Sequence, residues 1–270
     1  MTATSIAIRR PSRGRPFGAA RDAMAIAGRN LIALRRVPRL LIFSTVQPLV
    51  FVFLFRYVFS GVAQLALPRG TRYVDFLMPG VFVQTAVFGA MNTAVGLATD
   101  LQTGLLERFR SLPMARSAVL AGRTLADLIR SVFVVSLMTA VGFAVGFRIH
   151  AGVGAFVAGM LLVVLFVFAM SWIFAVVGLA VGDPETAQAA AFPVMAPLVF
   201  ASSAFIPVKT MPGWLQAFAR HQPVSVTASA VRALVMGGPT STYLWQTLAW
   251  VAGIIIVFAP LGVRRYRHAV

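Results

Sequence analysis

The side chains able to do covalent chemistry in this chain are few and scattered. Cysteine is absent, which removes thiol nucleophiles, disulfides and thiolate metal sites. The histidines His150, His221 and His268 stand far apart, without the spacing of metal ligands. No Gly-x-x-x-x-Gly-Lys-Ser/Thr phosphate loop occurs, and the one lysine, Lys209, lies outside any such pattern. Nucleotide hydrolysis by a phosphate loop is therefore not expected of this chain. None of the seven acids falls near the middle of an apolar run, where a proton- or sodium-coupled carrier would place a carboxylate. What remains is recognition chemistry. Of 24 basic residues all but Lys209 are arginine, the side chain suited to planar, bidentate pairing.

One charged, helix-length segment concentrates that chemistry between two apolar runs. It reads Asp100-Leu-Gln-Thr-Gly104-Leu105-Leu-Glu107-Arg108-Phe109-Arg110-Ser111-Leu-Pro113. Leu101, Leu105, Phe109 and Leu112 share a helical face, with Asp100, Glu107, Arg108 and Arg110 largely off it. Asp100 is expected to cap this helix, and Pro113 to end it by disfavouring helix at Leu112. A further helix should start near Ser117 and run through Asp127 and Arg130 into the next apolar run. The product is a short lever rigidly joined to a long helix. Leu105 and Phe109 can fill an apolar cleft on a partner, while Glu107 and Arg108 fix register across it.

The elements that position this lever must sit in a bilayer. Hydrophobic residues make up 59% of the chain and charged residues 11%, against about 25% charged in soluble domains. Six apolar runs approach or exceed the roughly 20 residues that cross a hydrocarbon core, at 40–59, 76–98, 128–147, 154–181, 187–206 and 244–263. The fifth carries Pro193 and Pro197 and should be kinked or broken. With the amino terminus inside, the inner segments hold 16 basic residues and the outer ones 6, so both termini are expected in the cytoplasm. Arg56 and Arg130 fall within span ends and are expected to snorkel to an interface. The charge of +17 is thus read as membrane sidedness, and nucleic acid is not an expected partner.

Residues 1–16 read as a flexible basic arm, without the apolar stretch of a cleavable signal peptide. Residues 17–36 read as an amphipathic interfacial helix. Phe17, Ala20, Met24, Ala27, Leu31 and Leu34 recur at steps of three and four, while Arg21, Arg29, Arg35 and Arg36 fall elsewhere, toward anionic headgroups. Residues 37–270 form the six-span membrane domain. Within it, Gln47, Gln84, Asn92, Ser202 and Ser203 are polar side chains that line a path or bond between helices. Gly142-x-x-x-Gly146 and Gly178-x-x-x-Gly182 permit close helix approach. Asp183 and Glu185, in a short inner loop, could pair with arginines.

Gly104-Leu-Leu-Glu107-Arg108-Phe-Arg-Ser111-Leu-Pro113, followed by Gly122-Arg123-Thr-Leu-Ala-Asp127, resembles the Gly-x-Leu-Glu-x-x-x-Ser-x-Pro region of type-2 ABC exporter permeases. Met78-Pro79-Gly80, His221-Gln222-Pro223-Val224-Ser225, Arg232-Ala-Leu and Gly237-Gly238-Pro239 are similar to the daunorubicin-resistance subfamily. Leu101-Gln102-Thr103 stand where many members carry an acidic–basic pair. The resemblance implies an all-α integral membrane fold with six transmembrane helices. It implies a cytoplasmic coupling helix between helices 2 and 3, formed by Gly104, Leu105, Glu107, Arg108, Phe109, Arg110, Ser111 and Pro113. Phe17, Met24, Arg29, Leu31 and Arg35 would mark the interfacial helix beside it, and 207–243 a re-entrant helix pair on the outer face. The chain itself would hold no cofactor: ATP and magnesium belong to two copies of a cytoplasmic ABC ATPase, and a second permease chain, identical or not, completes the assembly. The membrane would be the bacterial cytoplasmic one. So apolar a path suits a lipophilic or amphipathic cargo; permeases for polysaccharide or teichoic-type polymers, and an ion-coupled carrier, are the alternatives.

Overall fold

Residues 38–104 and 116–269 are described by the computed structural model, with side chains placed for 46–104 and 125–266. Every regular element among them is helical. In hydrocarbon each backbone N–H and C=O needs a partner within its own segment, and a helix supplies that. Helix α1 (Pro38–Phe53) passes into a π-helical turn at Leu54–Val58 and then the short α2 (Ser60–Leu65). The long helices are α3 (Tyr73–Gln102), α4 (Arg116–Ala144) and α5 (Val153–Val181). Then come α6 (Pro184–Phe200), the short pair α7 (Gly213–His221) and α8 (Pro223–Met236), and α9 (Ser241–Ala269). Four of them, α3, α4, α5 and α9, contain stretches long and apolar enough to span a membrane.

Helix α3 is the axle. It packs against α1, α4, α5, α6 and α8, and 78% of its most apolar stretch is buried, against 22% for α9. Leu77, Met78, Val81, Phe82, Ala86 and Ala90 are shut from solvent. At 30 residues α3 is about 45 Å long, well beyond a hydrocarbon core of about 30 Å. It overruns the expected 76–98 at both ends, so Asp100 sits in its last turn rather than ahead of a helix start, and the segment it was expected to cap lies outside the described residues. Nothing between Ala98 and Gln102 interrupts the backbone ladder, and the helix continues until Gly104 turns it.

The fifth apolar run departs furthest from expectation. Asp183 accepts from Thr186 N at 2.8 Å and Pro184 occupies the first turn, so α6 starts before residue 187. It ends at Phe200, not 206: Ser202 Oγ donates to Val199 O and accepts from Ala204 N, folding the chain into a turn. The 17-residue helix, with Pro193 and Pro197 inside it, is about 26 Å long.

Each small-residue pair splits its duties. A Cβ on Gly178 would lie 2.3 Å from Ala94 O, so here α5 touches the backbone of α3. Gly182 instead takes φ +77 and terminates α5, a conformation that favours glycine. Likewise Gly142 sits against Met78, whereas Gly146 lies in the turn after α4.

The helices define two ends. At one, Leu97 of α3, Leu179 of α5 and Tyr266 of α9 pack together, beside the turns at Gly104 and Gly182. At the other, Arg148 N donates to Asp75 Oδ1 at 2.9 Å and Tyr73 Oη to Phe205 O at 2.9 Å, joining the α4–α5 connection and the turn after α6 to the start of α3.

Gly178→Ala should destabilise the protein by about 1–3 kcal/mol, because backbone rather than a movable side chain meets the added methyl. Thermal unfolding in detergent tests this, with Gly154→Ala, which has open space around it, expected to leave the melting temperature unchanged.

Candidate functional site

Near the first end, polar bonds clamp α3 to α4. Thr93 Oγ1 donates to Asp127 Oδ2 at 2.7 Å, and both residues are buried. Arg130 Nη2 donates to Gly89 O at 2.9 Å and lies 3.9 Å from Asp127 Oδ1. Arg130 therefore does not snorkel; its side chain is 12% exposed because the α3 carbonyl and the Asp127 carboxylate hold it. Ser131 Oγ donates to Asp127 O and lies where a Cβ on Gly89 would meet it at 3.0 Å, so the helices approach closely here. Arg56, by contrast, is partly exposed, its guanidinium 5.6 Å from the Tyr57 ring centroid.

About 16 Å along α3 from Thr93, Gly104 adopts φ +66 and its N–H bonds Leu101 O at 3.0 Å. The chain thus leaves α3 at a fixed point and re-enters α4 at Arg116. A displacement of the connection reaches two helices already locked together. Leu105, Glu107, Arg108, Phe109, Arg110, Ser111 and Pro113 lie outside the described residues, as do Phe17, Met24, Arg29, Leu31 and Arg35 and the arm at 1–16.

The other end is closed by Arg232 of α8, which is buried. Its Nε donates to Phe76 O at 2.8 Å, Nη2 to Ala204 O at 2.9 Å and to Ser203 O, and Nη1 to Ser203 Oγ at 3.2 Å. The guanidinium carbon lies 3.7 Å from the Phe76 ring centroid. No carboxylate pairs with Arg232 among the described residues. Three carbonyls, two of them just past the negative end of the α6 dipole, and an aromatic face offset its charge instead. Gln222 caps α8, accepting from Val224 N, while its Nε2 reaches Leu198 O at 2.9 Å. Ser203 N donates to Ser225 Oγ at 2.9 Å. The start of α3, the end of α6 and the whole of α8 are consequently one unit.

Arg232, Ser203 and Ser225 form part of the wall of a cavity of about 1100 Å³, completed by residues from 66–76, 207–221 and 236–246. Of the five polar side chains expected on a path, Ser203 borders this cavity. Ser202, beside it, is spent on the turn after α6. Gln47 is exposed on α1, and Asn92 donates to Phe88 O of its own helix. Gln84 is fully buried in α3, with neither amide atom bonded among the described residues. These five do not assemble into one cluster.

Asp183 pairs with no arginine among the described residues. Thr186 N and Oγ1 occupy one of its oxygens at 2.8 Å each, and these bonds lower its pKa from the ordinary carboxylate value. No group of three or more metal-ligating side chains occurs among the described residues. Asp75 carries structural weight that its sequence context did not announce: Arg72 pairs with it at 2.8 Å and Arg148 N bonds it. The signal was a lone acid beginning an apolar run, one Arg three residues before it.

Residues 21–236 match the family model described as ABC-2 type transporter. This chain belongs to the ABC-2 type transporter family. The chain is similar to the daunorubicin resistance ABC transporter permease protein DrrB1 of Streptomyces coeruleorubidus, at 37% identity over 89% of this chain and 84% of that one. It is 30% identical to a Mycobacterium tuberculosis protein named "Probable doxorubicin resistance ABC transporter permease protein DrrC", over 84% and 81% of the two chains. It is 29% identical to the doxorubicin resistance ABC transporter permease protein DrrB of the same organism, over 68% and 66%. The match to the ABC-2 family takes in the α3–α4 clamp, the connection at 104–115 and the α8 closure.

Arg232→Gln removes charge and most of the donor fan and strands buried carbonyls, each costing about 1–3 kcal/mol. Its melting temperature should fall by several degrees, while Lys209→Gln, on the exposed part of the same wall, should match the parent.

Proposed function

We propose that this chain is the membrane subunit of an ATP-driven exporter, which moves a hydrophobic or amphipathic small molecule outward across a bacterial cytoplasmic membrane. A separate ABC ATPase docks on the connection at 104–113, and a second permease chain completes the pair. The relatives' names point to drugs of the daunorubicin and doxorubicin kind.

The observation that carries this reading is the clamp of Thr93 and Gly89 to Asp127 and Arg130. It makes α3 and α4 a single lever behind the connection, and it lies at the end that also holds Gly182 and Tyr266. In the proposed topology that end faces the cytoplasm, with six spans formed by α1 with its π turn, α3, α4, α5, α6 and α9. The packing of Tyr266 beside Leu97 and Leu179 supports a carboxyl terminus on the same side as the connection. Helices α7 and α8 are the re-entrant outer pair, consistent with α8 being 14 residues long, buried, and packed against α3, α5 and α9.

The mechanism follows from stiffness. ATP-driven closure of two ATPase subunits pushes on Glu107, Arg108 and Phe109; α3 and α4 move together. Because Arg232 ties the far end of α3 to α6 and α8, the push reaches the outer cavity. Exposed apolar side chains on α1, α4 and α9, such as Val50, Phe133 and Ile256, suit lipid or the second chain.

Reconstituted with its partner ATPase in proteoliposomes, the chain should accumulate doxorubicin only while ATP is hydrolysed; equal uptake with a hydrolysis-dead ATPase contradicts the assignment. In the same assay Glu107→Ala and Phe109→Ala should each lower substrate-stimulated ATP hydrolysis at least severalfold, and unchanged stimulation in both removes their docking role. Thr93→Val keeps the side-chain volume but deletes the donor to Asp127. It should leave ATP hydrolysis near the parent value while the solute moved per ATP drops.

A further inference from the structure

The geometry points to the cavity between α3, α6, α8 and α9 as a binding site for the anionic group of an amphiphile, a phosphate or carboxylate carried on an apolar body. Three cationic side chains line it, Lys209, Arg220 and Arg232, with His221 beside them. No aspartate or glutamate does. The acid placed at this end, Asp75, is buried, is not part of the wall, and is already matched by Arg72 at 2.8 Å, with His150 Nε2 3.8 Å away. No carboxylate therefore neutralises the wall from within the described chain; carbonyls offset Arg232, and Arg220 Nη2 donates to the neutral Gln216 Oε1 at 2.8 Å.

Position adds to sign. Arg232 is fixed by four bonds and the Phe76 face, so it keeps one orientation without ligand. Its Nη1 donates to Ser203 Oγ and carries a second N–H. Lys209 and Arg220 are exposed on the wall and can close over an incoming group. Cations set in a cleft with low-dielectric walls focus the field and raise the local concentration of anions. Leu67, Phe76 and Met236, also lining, offer contact to an apolar tail. At about 1100 Å³ the space exceeds what a bare inorganic anion needs and lies just above the range of about 300–1,000 Å³ for drug-sized ligands. A cationic headgroup would meet like charge at Lys209, Arg220 and Arg232, so this site is distinct from one that takes an amine-bearing drug such as doxorubicin.

The inference concerns binding alone, so it stands or falls separately from the export cycle. The full-length chain is purified into nanodiscs of neutral phosphatidylcholine, and dodecyl phosphate, dodecyltrimethylammonium and inorganic phosphate are titrated by calorimetry. Dodecyl phosphate should bind at least tenfold more tightly than either of the others, and weaken as salt rises. The double variant Lys209→Gln/Arg220→Gln should lose at least tenfold of that affinity at an unchanged melting temperature. Lys209→Glu/Arg220→Glu should bring dodecyltrimethylammonium to equal or tighter binding than dodecyl phosphate. If the anionic and cationic amphiphiles bind the parent equally, or the double variant binds dodecyl phosphate as tightly as the parent, the site is wrong. Equal affinity for inorganic phosphate overturns the apolar half of the assignment. Repeating the titration with phosphatidylglycerol in the disc separates the sources: lost dodecyl phosphate binding identifies a bilayer headgroup as occupant, and retained binding a dissolved amphiphile, either supporting the anion site.

Discussion

A guanidinium held by carbonyls, with no carboxylate bonded to it among the described residues, closes one end of this protein. Burying a charge is expensive unless it is hydrogen-bonded and its field is offset. Arg232 meets that demand with the carbonyls of Phe76, Ser203 and Ala204, and so dictates where the start of α3 and the end of α6 must lie. Neighbouring features fit the same constraint. Gly80 has no Cβ because Ala204 O would be 1.8 Å from it, and Tyr73 Oη reaches the next carbonyl, Phe205 O. Helix α6 stops at Phe200, and the carbonyls of Ser203 and Ala204 in the turn beyond it accept from Arg232.

At the opposite end the same economy appears with an acid. Asp127 is buried between Thr93, Arg130 and its own helix, and α3 and α4 become one body. Helix α3 thus connects a polar clamp near one end to a polar closure at the other, through a middle of small and aliphatic side chains that pack on α5 and α6. A rod about 45 Å long, pinned twice, suits the membrane subunit of a transporter whose energy comes from another chain. That is the role the ABC-2 family membership supports.

Much of this was legible before any coordinates. Helix α5 starts and ends within a residue of the apolar run that encodes it, and two short helices, α7 and α8, fall within 207–243, where the resemblance implied a pair. The motif at 104–113, with the shorter motifs beside it, led to the family that the comparison shows. What the sequence hid were the long-range partners. Asp100 looks like a helix start because a polar residue precedes an amphipathic segment, yet the backbone ladder of α3 simply continues through it. Arg130 looks like a snorkelling residue until Gly89, lacking a side chain, exposes a carbonyl to it. Asp183 looks like half of an ion pair, but a threonine three residues on gives it a cap instead. Arg232 reads as an ordinary position in an apolar helix, since its acceptors lie 28 to 156 residues away in the chain.

The central claim is that α3 and α4 move as one lever against the rest of the bundle. Spin labels at Gln102 of α3 and Ile129 of α4, both exposed, report the lever itself; labels at Gln102 and Thr186 of α6 report its displacement. In the assembled transporter, pulsed electron spin resonance before and after ATP-dependent trapping should leave the first distance fixed and shift the second by several Å. A first distance that changes while the second stays constant would contradict the account.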